Sequence, residues 1–91
     1  MARRSMAAME LQILKTAVKA VGIKQTRKAI RQGSAKVVFV ARDADKKILD
    51  EIEELCANAG IKVVYVETKR SLGKACGIEV GAAAAVITIH S

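Results

Sequence analysis

Residues 22–45, GIKQTRKAIRQGSAKVVFVARDAD, pass from a helical period to an uninterrupted β-branched run across a single glycine. At 100° per residue, Thr26, Ala29 and Ile30 share one side of a helix. Lys24, Arg27, Lys28 and Arg31 fall within an arc of about 100° on the other, bordered by Gln25 and Gln32. The spacing predicts a helix over 24–32 with Gly33 as its terminator. Within that helix Lys24/Lys28 and Arg27/Arg31 are like-charge i,i+4 pairs, each unfavourable by about 0.2–0.5 kcal/mol in isolation. KVVFVA, residues 36–41, then has no polar face at all, as a strand buried on both sides requires. Such a strand needs a covering layer on each side, so an α/β sandwich is implied from this stretch alone.

The flanking sequence agrees. Upstream, Leu11, Leu14, Val18 and Val21 recur at helical spacing, predicting a helix over about 7–20 behind a flexible tail at 1–6. Residues 21–23 are expected to form a very short strand. Downstream, Asp43 or Asp45 is placed to cap a helix whose Ile48, Ile52, Leu55 and Ala59 form the apolar stripe. Asp50, Glu51, Glu53 and Glu54 take its solvent side, and Gly60 ends it. IKVVYVE (61–67) reads as a second buried strand, 69–76 as a short helix stopped by Gly77, and GIEVGA (77–82) as a loop into a last strand at about 84–90. The alternation predicts one domain over 7–91: a three-layer α/β/α sandwich around a small mixed, mostly parallel four-stranded sheet.

Charge is unevenly distributed in this chain of net charge +7. Residues 1–36 hold nine Lys/Arg against Glu10 alone, whereas residues 37–61 are net negative. A basic segment on a folded domain points to a polyanion, with an ordinary solvated surface as the plain alternative. No run reaches the roughly 20 apolar residues of a membrane span, and Glu10, Gln12, Lys15 and Lys19 interrupt any secretory apolar core. A cytoplasmic location is therefore expected. Cys56 and Cys76 lack metal-ligand spacing and read as small buried hydrophobes. There is no G-x-S-x-G elbow, phosphate loop or dinucleotide fingerprint, and His90 is the only histidine. The expectation is no enzyme, no cofactor, no metal and no small-molecule substrate. Phe39 and Tyr65 both fall in strands predicted to be buried, which argues against RNA modules that stack bases on exposed aromatic residues.

GIKQTRKAIRQGSAKVVFVARDAD, followed by LGKACGIEVGAAAAVITI, resembles the ribosomal L7Ae/L30e family of kink-turn RNA-binding proteins, its small bacterial members most of all. The family motif Gly-x-Asn-Glu-x-x-Lys lies at the start of a helix that enters the RNA groove at a sharp kink. Gly22 and Lys28 match it, Ile23 fills the first variable place, and Lys24 and Gln25 stand where many members have Asn and Glu. Gln25 keeps a carbonyl acceptor for guanine N–H groups but loses the charge, and charge-assisted bonds are roughly twice as strong as neutral ones. Lys24 can instead approach guanine O6/N7 or a phosphate. Arg27 and Arg31 extend the basic face.

Ile78, Glu79 and Val80 match the family loop that covers flipped-out nucleotides. Ile78 and Val80 either present apolar surface to nucleobases or turn inward, and Glu79 can accept from a base or a 2′-OH. Arg42, Arg70 and Lys74 are peripheral phosphate candidates or simply solvated. The resemblance implies a monomeric, non-catalytic protein that recognises and stabilises kink-turn or kink-turn-like RNA, either ribosomal RNA or a riboswitch. The competing expectation is a protein–protein interaction module or accessory domain of an RNA-processing complex.

Overall fold

The computed structural model describes residues 19–88. Its elements run β1 (Lys19–Val21), α1 (Ile23–Gln32), β2 (Ala35–Ala41), α2 (Lys46–Ala59), β3 (Lys62–Val66), α3 (Lys69–Ala75) and β4 (Ala84–Thr88). The predicted tail at 1–6, the helix over 7–18 and the end of the last strand at 89–90 lie outside the described residues. Lys19 and Ala20, expected to close that first helix, are strand, and Ile23, expected as strand, opens α1.

One four-stranded sheet, ordered β1-β4-β2-β3, separates two helical layers. Strand alternation divides the central residues between them. Val38, Val40, Ala84 and Val86 face Ala29 and Ile30 of α1 and Ile52 and Cys56 of α2. Phe39, Ala41, Ala85 and Ile87 point oppositely and pack with Leu72 and Ala75 of α3. Val38, Phe39, Val40 and Ala41 are all buried, as a central strand covered on both faces requires. Both cysteines are buried.

The sheet is mixed, but the expected parallel majority is not found. Only β2 and β3 pair in parallel; β4 runs antiparallel to both β2 and β1. The cause lies in residues 67–83. A return crossover to the far end of the sheet takes a dozen or more residues, usually as a helix spanning the strands. α3 has seven residues, and Ala82 N–H donates to the carbonyl of Lys69 at the start of that helix (3.0 Å). The chain is thus held at the end where β2 and β3 finish and enters β4 from there.

Two other expectations need correcting. β3 is an edge strand, so only Val64 and Val66 of its residues are buried and Tyr65 is 39% exposed. In α2 the inward stripe ends on Cys56, while Ala59, in the last turn beside Gly60, is exposed. Asp45 is the α2 cap, its carboxylate accepting from Lys47 N–H (2.9 Å). Asp43 serves α3 instead, accepting from Lys69 N–H (2.8 Å).

Candidate nucleic-acid interface

α1 begins at Gly22, whose φ of 111° and ψ of 159° place it in a region essentially restricted to glycine. No side chain caps this helix and its first turn holds no acid. Its first-turn N–H groups, unpaired within any helix, therefore combine with the positive end of the helix dipole. Thr26, fully buried, fixes the start: its hydroxyl (2.8 Å) and its amide (3.0 Å) both donate to the Gly22 carbonyl. Lys24, Gln25, Lys28 and Arg31 are exposed, whereas Ile23 is half-buried against the core. Lys24, Arg27, Lys28, Arg31 and Gln32 line an open concavity of about 380 Å³.

Arg27 differs from its neighbours. Its Nε and Nη2 donate to the two carboxylate oxygens of Glu51 on α2 at 2.6 and 2.9 Å. The two side chains remain 33% and 37% exposed. The Glu51 hydrogen bond holds the Arg27 guanidinium above its ordinary value; the same bond, aided by the charges of Arg27 and Arg31, holds Glu51 below the usual carboxylate value. The basic face is therefore interrupted by an acid from the adjacent helix. Glu51 was missed because it lies 24 residues away in sequence. The clue available was that two helices covering one sheet face must abut.

The loop after α3 is tightly held on one side and open on the other. Gly77 is left-handed (φ 81°), and Ile78 N–H donates to the Gly73 carbonyl (3.0 Å). A Cβ on Gly73 would lie 2.1 Å from the Val80 carbonyl oxygen, so only glycine lets helix and loop approach this closely. The two alternatives for the apolar pair divide between its members: Ile78 packs against the core, and Val80 is 70% exposed beside exposed Glu79.

These parts share one end of the sheet. Gly22 N–H donates to the Ala84 carbonyl (2.9 Å), and Ala41 N–H to the Ala83 carbonyl (2.9 Å). The start of α1, the exit of the 77–83 loop and the end of β2 are therefore adjacent. Arg42 follows at once, its N–H donating to the Val66 carbonyl (2.7 Å) at the end of β3, and its guanidinium lies 5.2 Å from the centre of the Tyr65 ring. The Tyr65 hydroxyl donates to the Glu53 carboxylate, which raises the phenol above its ordinary value. Arg70 and Lys74 are exposed on α3. Among the described residues, no group of three or more His, Cys, Asp or Glu is arranged to hold a metal ion. No helix among them is long and apolar enough to cross a membrane.

A sequence profile of the ribosomal protein L7Ae/L30e/S12e/Gadd45 family matches residues 7–91. The chain is 45% identical over 69 residues to the RNA-binding protein TTE2299 of Caldanaerobacter subterraneus subsp. tengcongensis, covering 76% of this chain and 84% of that one. It is 49% identical over 67 residues to large ribosomal subunit protein eL8 of Halobacterium salinarum, covering 72% of this chain and 56% of that protein. Among solved structures, a Giardia lamblia 15.5kD RNA binding protein superposes with a TM-score of 0.82 at 28% identity, covering 94% of this chain and 77% of the other.

Proposed function

The chain belongs to the ribosomal protein L7Ae/L30e/S12e/Gadd45 family, and from that premise we propose that it binds RNA without catalysing a reaction, docking on kink-turn or kink-turn-like RNA and favouring the bent form. The observation that carries this reading is the adjacency of the uncapped, acid-free start of α1 to the loop bearing exposed Val80 and Glu79. A sharply folded duplex brings phosphates together, and a helix start supplies N–H donors and partial positive charge to meet them. Lys24, Lys28 and Arg31 add exposed cations on the same helix, and Gln25 offers a neutral acceptor to guanine N–H groups. Gly22 allows backbone to approach without a Cβ. Val80 covers a nucleobase face and Glu79 accepts from a base or 2′-OH, while half-buried Ile78 shapes the loop under them. Ile23 plays the same supporting part under the helix start.

The mechanism is population shift. Donors and cations gathered at one end fit the bent RNA better than the straight one, and that differential affinity moves the equilibrium. Ribosomal RNA or a riboswitch is the target class, met in the cytoplasm by a monomer. The test is competition between a kink-turn duplex and the same duplex with its sheared G·A pairs replaced by Watson–Crick pairs. A preference of at least about tenfold, equivalent to about 1.4 kcal/mol, is expected. Equal binding of the two would refute the reading and favour a protein-interaction module.

A further inference from the structure

Arg42 and Tyr65 form a second feature at the same end of the sheet. The Tyr65 hydroxyl is tied to Glu53 of α2, and Arg42 lies over the ring at 5.2 Å. Each bond fixes the next group: Glu53 holds the ring, and the ring with the β3 carbonyl at Val66 places the base of Arg42. Both residues are exposed, so the pair is accessible from solvent. Strands are spaced by about 4.8 Å, so the ends of β1 and β2 lie roughly 10 Å apart across β4. That is within reach of an RNA strand already seated at Gly22 and the 77–83 loop. The surroundings are mixed in charge: exposed Lys46, Lys47, Lys69 and Arg70 lie where α2 and α3 start, beside exposed Asp43, Asp45 and Glu67.

We propose that Arg42, held over the Tyr65 ring, is a platform for one unpaired nucleobase of RNA next to the kink. This rests on the kink-turn reading above and extends the interface from α1 and the loop to the β3 edge. The base would stack on the planar guanidinium, with the tyrosine ring beneath it as a second layer, an arrangement RNA-binding surfaces use for splayed-out bases. The role depends on planarity as well as charge. Lysine at position 42 keeps the phosphate attraction but not the stacking plane.

The test is a coupling experiment with kink-turn RNAs in which each unpaired nucleotide, in the bulge or in a short single-stranded extension, is made abasic in turn. For the parent protein, one such position should lower affinity at least about fivefold, the lower range for losing one stacked base. In Tyr65→Leu and in Arg42→Lys, the penalty at that same position should fall to nearly onefold. Comparing ratios within each protein removes any general change in affinity, and Arg42→Lys leaves the aromatic packing untouched should Tyr65→Leu fold poorly. Abasic penalties identical in parent and variants at every position would overturn the platform. If the parent then still prefers the kink-turn to its straight counterpart, only the platform is wrong. If that preference is absent too, the kink-turn reading falls and the platform with it.

Discussion

Arg27 and Lys28 are neighbours on one basic helix, yet they differ in electrostatic role. Lys28 is exposed, while Arg27 spends two donors on Glu51. Each cation that neutralises a phosphate contributes about one unit to the salt dependence of RNA binding. Lys28→Ala should therefore weaken kink-turn binding and flatten the salt slope by about one unit. Arg27→Ala should flatten it by clearly less, because its guanidinium is already engaged by Glu51. Equal slopes for the two variants, measured by titration across salt concentrations, would show that RNA displaces Glu51. The same pair makes a stability prediction. Glu51 is held below its ordinary value of 4.5, so its contribution is present above that pH and is lost as pH falls through the lowered value. Arg27 is held above its ordinary value, so its side of the link changes only in strong alkali. At neutral pH Glu51→Gln should melt about 1–5 °C below the parent, as expected of one exposed pair, and the gap should narrow as pH falls below 4.5. A gap that persists into acid would assign the loss to packing.

Short elements owe their positions to a few glycines and threonines. Gly22 gives α1 its abrupt start and Thr26 locks it, while Gly73 lets the 77–83 loop lie directly on α3. Gly73→Ala would drive a methyl group into the Val80 carbonyl and must displace the loop, since both sides of the clash are backbone. A cost of about 1–3 kcal/mol in chemical denaturation is expected, with weaker kink-turn binding alongside. Unchanged stability together with unchanged binding would contradict the role given to this contact. The helices and their stops were readable because their signals are local: the Thr26/Ala29/Ile30 spacing, Asp45 before α2, and left-handed Gly33 and Gly60. β1 was not. At three residues, Lys19–Val21 is too short for any alternation to register, and its pairing with β4 comes from residues more than sixty positions away.

Across the domain, the sequence carries the layers better than the direction of the strands. Continuous apolar runs at β2 and β4 announced a sheet covered on both faces. Strand sense depended on whether seven helical residues and a loop could recross the sheet, and the Ala82–Lys69 hydrogen bond prevents it. Tyr65 was misread for a related reason: IKVVYVE is apolar enough for a central strand, and only strand order reveals that it is an edge. Lys62 at the start of that strand, exposed like Tyr65, was the available sign. Charge follows the same architecture. α2 carries Asp50, Glu51, Glu53 and Glu54, a poor surface for RNA, whereas cations gather at the starts of the helices and along α1. In the proposed reading, binding is thereby directed to one end of the molecule, where Gly22, the 77–83 loop and Arg42 converge. The most direct check is a kink-turn duplex with donor and acceptor dyes on its two ends, titrated with the protein under ionic conditions that leave the free RNA extended. Energy transfer should rise to a plateau with the parent protein, and the rise should shift to higher concentration with Lys28→Ala. No change in transfer at micromolar parent protein would mean that this surface does not hold RNA bent.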